Sequence, residues 1–207
     1  MCSIIGYSGK NSAAPILVKG LQKMEYRGYD SVGIATKSEN KIVVKKGVGR
    51  VVEVSNAVQL DKLPGNIGIG HTRWATHGKV TEKNAHPHSS NSGKIAIVHN
   101  GIVENFEELK SDLQNKGYEF QSETDTEIIA NLIQLNLDET SDVKQSIIKT
   151  VNQIKGHYSF VVIFDDGTLA AARFHEPLIV GVGKNGNYLS SDVLGFIEKT
   201  DNAIYVD

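Results

Sequence analysis

Ten short runs, most of them rich in Val, Ile or Tyr and set between Gly, Asn or Asp, fall in blocks along this chain, with helical patterns gathered between the blocks. That ordering constrains the fold more than any other feature. Strict alternation of strand and helix builds a parallel doubly wound sheet, whereas blocks of strands and blocks of helices build α+β architectures. The strand-like runs lie at 3–7, 33–36, 41–48, 67–72, 94–99, 158–164, 168–173, 178–182, 188–190 and 203–206. A first helix is expected, capped by Ser12, with Ala13, Ala14 and Pro15 in its first turn and Ile16, Leu17, Leu21 and Met24 at helical spacing. A second covers 105–116 and stops at Gly117, a natural C′ residue. A third begins near Thr124, three residues before Glu127, in a capping-box arrangement. A fourth runs over 142–154. The expected result is layers of helix on stacked antiparallel sheets.

The 207 residues suffice for one sizeable core, and four prolines with evenly spread glycines mark no linker, so one domain is expected. A net charge of −2, with Lys45-Lys46 as the longest basic cluster, leaves no electrostatic footprint for nucleic acid. Lys10, Asn11 and Lys19 interrupt the first twenty residues, and the longest largely apolar stretch, 158–164, is too short for a bilayer. A single cysteine excludes an internal disulfide framework and fits a reducing compartment. A cytoplasmic protein without membrane segments is expected.

That one cysteine is Cys2. Once Met1 is removed it carries a thiol and a free α-amine on one residue, a nucleophile with a built-in base. Taken alone, a lone cysteine beside the start is as well read as a small buried hydrophobe. Five of the seven histidines lie between 71 and 99. Their spacing fits metal ligation poorly, with no HExxH and no Cys pair, and His71, His88 and His99 read as hydrogen-bonded structural groups. No metal or other cofactor is expected.

Three further segments carry chemistry. Gly70 to Gly78 (GHTRWATHG) begins as a strand and ends as a loop, and Arg73 at that junction can clamp a carboxylate bidentately or serve as an ordinary ion-pair partner. Asn100-Gly101 follows an apolar run. The dipeptide is the strongest short hairpin signal, yet an Asn amide and a Gly N–H can also converge on a developing oxyanion. Glu123, Asp125 and Glu127 at a helix start are favoured by the macrodipole, and a carboxylate there can also receive a substrate ammonium. A thiol, a carboxylate clamp, oxyanion donors and an ammonium acceptor together imply a zwitterionic amino acid with a reactive amide. Glutamine is the natural candidate.

Cys2, Glu25-Tyr26-Arg27-Gly28-Tyr29-Asp30-Ser31, the His71-to-Gly78 segment, Asn84-Ala85-His86-Pro87-His88, Val98-His99-Asn100-Gly101-Ile102 and Ser122-Glu123-Thr124-Asp125-Thr126-Glu127 occur in this order. In that order they resemble the class II glutamine amidotransferases, which are N-terminal-nucleophile hydrolases. The RGYDS, HTRWATHG and NAHPH versions are similar to the glutaminase domains of glucosamine-6-phosphate synthases. The resemblance covers essentially the whole chain. It implies a four-layer αββα sandwich and a glutaminase that passes ammonia to fructose 6-phosphate by way of a γ-glutamyl thioester on Cys2. It also implies that Asn100 and Gly101 hold the oxyanion, that Arg27 and Gly28 support the N-terminal residue, and that Arg73 and Asp125 bind the α-carboxylate and α-amine of L-glutamine. Thr76 and His77 would line the same site, and Trp74 would sit on a loop closing over it. The implied partner is a sugar-isomerase domain. Residues 1–207 hold no candidate for that domain and are expected to stop short of the usual end of the glutaminase domain. The full-length protein is expected to be a homo-oligomer. The alternatives are a glutaminase serving another ammonia acceptor and a non-catalytic glutamine-binding module.

Overall fold

A computed structural model describes residues 2–39, 41–74 and 78–206. Met1, Thr76 and His77 lie outside the described residues. All ten expected strand runs are strands: β1 (Ser3–Gly9), β2 (Ser31–Ser38), β3 (Lys41–Val48), β4 (Ile67–Arg73), β6 (Ile95–Val103), β7 (Gly156–Phe164), β8 (Leu169–Phe174), β9 (Ile179–Gly183), β10 (Gly186–Ser190) and β11 (Ala203–Tyr205). The two-residue β5 (His88–Ser89) has no periodicity to betray it. The helices are α1 (Ala13–Lys23), α2 (Val51–Val58), α3 (Phe106–Asn115), α4 (Asp125–Thr140) and α5 (Val143–Gln153).

Hydrogen bonding sorts the strands into two antiparallel sheets. One has the order β11-β9-β10-β1-β4-β2-β3, the other β5-β6-β7-β8. Their residues alternate between faces with period two. In β7, Val161 and Ile163 meet Ile4, Ala35, Ile69, Ala96 and Val98 in a core between the sheets. Phe160, Val162 and Phe164 of the same strand face the other way, into a core with α3, α4 and α5. On the larger sheet, Ile5, Tyr7, Val32 and Ile34 point outward against α1 and α2. The order of layers is therefore helix, sheet, sheet, helix. Burial on both faces explains why residues 95–98 and 160–164 are unbroken apolar runs rather than alternating ones. Truncating Phe160, fully buried, to Ala should cost about 3–5 kcal/mol.

The local signals at the helix ends and turns hold with three corrections. Gly117 has φ +88, and the Gly117 and Tyr118 N–H groups donate to Gln114 and Leu113 carbonyls, the paired bonds of a Schellman motif. Asp142 caps α5 by accepting from Gln145 N at 2.7 Å. Ser12 occupies the N-cap of α1 but makes no capping bond. At α4 the expected capping box is absent. The Thr124 hydroxyl pairs with His88 Nε2 and Ser122 Oγ, and the Glu127 carboxylate accepts from the N–H groups of Gln121 and Ser122 instead. The third correction concerns Asn100-Gly101. No hairpin forms there, because β6 continues to Val103 and pairs with β7 along its full length.

This topology gathers the chemistry at one end of the sandwich. β1 starts at Ser3 in the middle of its sheet, and Ser3 is paired with Thr72, so Cys2 emerges beside Arg73 and Trp74. β6, packed across from β4 in the facing sheet, delivers Asn100 to the same end.

Candidate active site

Cys2 is partly buried and held from three directions. The Trp74 N–H donates to its Sγ at 3.2 Å. Its carbonyl accepts from Arg27 Nε at 3.1 Å and from Asn100 Nδ2 at 3.3 Å. Burial pushes the thiol above its ordinary pKa. The Trp74 N–H and the positive charges of Arg73 and Arg27 oppose that rise without cancelling it. A thiol so placed stays protonated at neutral pH and needs a base.

Arg73 ends β4 and is only 5% exposed. It donates to the Lys79 carbonyl at 3.3 Å, and its charge is felt by the Cys2 thiol, Asp30 and Asp125. Asp125 opens α4, and its Oδ2 accepts from the Val103 N–H at 2.8 Å. Of the three acids flagged at that helix start, Asp125 is one whose charge acts on Arg73. Glu127 is consumed by the 121–122 backbone and Ser122 Oγ, and Glu123 exchanges hydrogen bonds with Asn84, whose Nδ2 donates to Glu123 Oε2 and whose Oδ1 accepts from Glu123 N. Trp74 is 43% exposed and packs edge-on against Tyr29, whose ring lies under the Arg50 guanidinium.

Arg27 is fixed from behind. Its guanidinium lies 3.7 Å from Asp192 Oδ2, which also accepts from the Tyr26 hydroxyl at 2.6 Å. The Asp192 Oδ1 accepts from Leu194 N. Asp192 was invisible to sequence reasoning because its partners are some 165 positions upstream and no local motif links them. Gly28 closes the turn by donating to Glu25 O, and among the described residues it makes no hydrogen bond to Cys2. Gly101 sits in β6 with φ +117, its α-carbon tight against the β7 backbone.

Four of the histidines, His71, His86, His88 and His99, form one buried, neutral cluster. His71 Nε2 lies 3.0 Å from Asn100 Oδ1 and 3.1 Å from the His99 carbonyl. His86 stacks on His71 with centroids 4.1 Å apart, and its Nδ1 accepts from His99 N. His99 Nδ1 and His86 Nε2 both reach Thr126 Oγ1. Desolvation lowers all four pKa values, His71 to about 3. Among the described residues no group of three or more His, Cys, Asp or Glu could hold a metal ion. No helix among them is long and apolar enough to cross a membrane.

The model of the glutamine amidotransferase domain matches residues 71–197. The chain belongs to that family. Its whole length aligns, 48% identical, with a glutamine–fructose-6-phosphate aminotransferase (isomerizing) of Pyrococcus horikoshii, and 45% identical with one of Clostridium acetobutylicum. It spans about a third of these relatives, 35% and 34% of their lengths. Among solved structures, 99% of the chain superposes on 44% of a glutamine phosphoribosylpyrophosphate amidotransferase from B. subtilis, with TM-score 0.83 at 30% identity. The glutamine amidotransferase domain is thus a four-layer αββα sandwich of the N-terminal-nucleophile type.

Proposed function

We propose that this domain hydrolyses L-glutamine to glutamate and ammonia at Cys2. We propose further that it supplies the ammonia for making glucosamine 6-phosphate from fructose 6-phosphate. The observation that carries the first part is the setting of Cys2: a raised thiol, an amide donor from Asn100 on its carbonyl, and Arg73 beside it. The second part rests on the full-length likeness to fructose-6-phosphate aminotransferases at 43–48% identity, against 30% for the phosphoribosyl enzyme. The acceptor would bind to a sugar-isomerase region in the remaining two thirds of a protein of that length, and the assembled enzyme would be a homo-oligomer.

The steps follow from the residues. With Met1 removed, the Cys2 α-amine takes the thiol proton, directly or through a water, as Sγ attacks the carboxamide carbon. A free α-amine has a pKa of about 7.7–8.0, well placed to act as base near neutrality. The tetrahedral oxyanion meets the Asn100 amide, whose NH2 has two protons, one on the Cys2 carbonyl and one to spare. The Gly101 N–H would be the second donor. Returning the proton to the leaving nitrogen expels ammonia and leaves a thioester. Water then attacks it with the same amine as base. Arg73 would fix the α-carboxylate and Asp125 the α-ammonium, with Thr76 and His77 lining the site, so that only a substrate carrying both charges is held in register. Trp74 would close over the bound glutamine.

The test is ammonia and glutamate release by the purified chain lacking Met1, beside Cys2→Ala. Turnover lost in a folded Cys2→Ala is the expected result. Equal turnover in both proteins would overturn the proposal.

A further inference from the structure

The orientation of one carboxamide decides whether the site offers the oxyanion a donor or an acceptor, and the hydrogen bonds around Asn100 settle it. The Cys2 carbonyl can only accept, so the end of Asn100 facing it at 3.3 Å is the NH2. The oxygen end therefore faces His71 Nε2 at 3.0 Å. That nitrogen has a second neighbour, the His99 carbonyl at 3.1 Å, which also only accepts. Two independent acceptors require a proton on Nε2. Nδ1 of the same ring is buried and finds no hydrogen-bond partner among the described residues, so a proton moved there would be orphaned. The ring itself cannot swing, because it is 1% exposed and stacked on His86 at an interplanar angle of 14°. His86 is pinned in turn by the His99 N–H and Thr126.

We propose that His71 is a positioning residue for the glutaminase reaction: its Nε2–H locks the Asn100 carboxamide with the NH2 toward Cys2. Without that lock, only the 3.3 Å bond to the Cys2 carbonyl opposes the amide's turning over and presenting its oxygen to the developing oxyanion. The proposal rests on the glutaminase reading above. The low pKa of His71, about 3, agrees with it, because the ring remains a neutral, one-proton donor across the working pH range.

The test is a double-mutant cycle with a spectroscopic arm. His71→Leu removes the donor while keeping an apolar body, and His71→Gln places an amide N–H at the reach of Nε2. His71→Leu should lower kcat on the order of 10²-fold, the loss typical of one missing oxyanion donor, with KM and the rate of Cys2 alkylation by iodoacetamide little changed. His71→Gln should recover kcat to within about tenfold of the parent, and His71→Leu should add nothing on top of Asn100→Ala. Full additivity of the two losses, or an unimpaired His71→Leu, would overturn the proposal. A role in packing alone would move thermal stability and alkylation without a selective loss of kcat. Should the variants fail to fold, ¹⁵N spectra of the unsubstituted chain still decide. The neutral Nε2–H tautomer at pH 6–8 is expected, and an Nδ1–H tautomer or an imidazolium contradicts the lock. If the parent releases no ammonia, the glutaminase reading falls while these spectra still report on the His71 proton.

Discussion

Replacing Gly101 with Ala should damage both stability and catalysis, and the two effects can be separated. A Cβ at this position would lie 2.0 Å from the His157 carbonyl oxygen, 2.8 Å from Tyr158 Cα and 2.9 Å from His157 C. All three are backbone atoms of β7, so no side chain can yield. Relief requires β6 and β7 to part by roughly an ångström in a ladder of nine paired residues, or Gly101 to leave φ +117, where an L side chain is already strained. Backbone strain of this kind costs about 1–3 kcal/mol and overpacking a further 1–3 kcal/mol, so a loss of about 2–6 kcal/mol is expected. The shift also moves Asn100 off the nucleophile, and a misplacement of about 1 Å can cost on the order of 10²-fold in rate. Gly117→Ala is the internal control. Its φ of +88 is equally unfavourable for Ala, but nothing lies within 4 Å of the added carbon. It should lose only the backbone term, about 1–2 kcal/mol, and keep full activity. Urea unfolding and glutamate release on the two variants provide the comparison. A Gly101→Ala protein as stable and active as Gly117→Ala would refute the steric argument.

Four further outcomes follow. Asp192→Ala should lower kcat several-fold by releasing the Arg27 side chain that holds the Cys2 carbonyl, and Tyr26→Phe should do less because Arg27 remains paired; steady-state kinetics on both would show the order. Arg73→Ala should raise the KM for glutamine about 10–100-fold, the worth of a charge-assisted bond, and a KM within twofold of the parent would remove Arg73 from the substrate site. Asp125→Asn, which keeps an acceptor for Val103 N, should likewise raise KM while thermal stability holds to within about 1 kcal/mol. Acidification should destabilise the fold. The His71 pKa falls from about 6.5 in the unfolded chain to about 3 in the folded one, so below 6.5 the unfolded state takes up a proton that the folded state refuses. At pH 5 that amounts to about 2 kcal/mol for His71, with His86, His88 and His99 shifted in the same direction. A melting temperature that is flat from pH 7.5 to pH 5 would contradict this.

The strands were legible because both faces of the central ones are buried, which writes uninterrupted apolar runs at 95–98 and 160–164 into the sequence. The end of α3 was legible because its Schellman motif is built from local backbone geometry at Gly117. α2 escaped because Val51, Val52, Val54 and Val58 favour strands by propensity. It is a helix because Val51, Val54 and Val58 face the α1 core, and its first N–H groups are satisfied by Glu25 and Glu53. Asn100-Gly101 misled in the opposite sense. The dipeptide is a strong local turn signal, but pairing with β7 supplies nine residues of competing ladder. Most candidate site residues, Cys2, Arg27, Arg73, Asn100 and Asp125, are brought to one end of the sandwich. The supports behind them, Asp192 and the His71–His86 stack, depend on contacts between distant segments that no local pattern encodes.

The most direct test of the account is intact-mass spectrometry of the purified chain after incubation with a diazoketone analogue of glutamine. The account predicts a single adduct, on a chain without Met1, mapping to Cys2. A chain that has lost Met1 and stays unlabelled would contradict it.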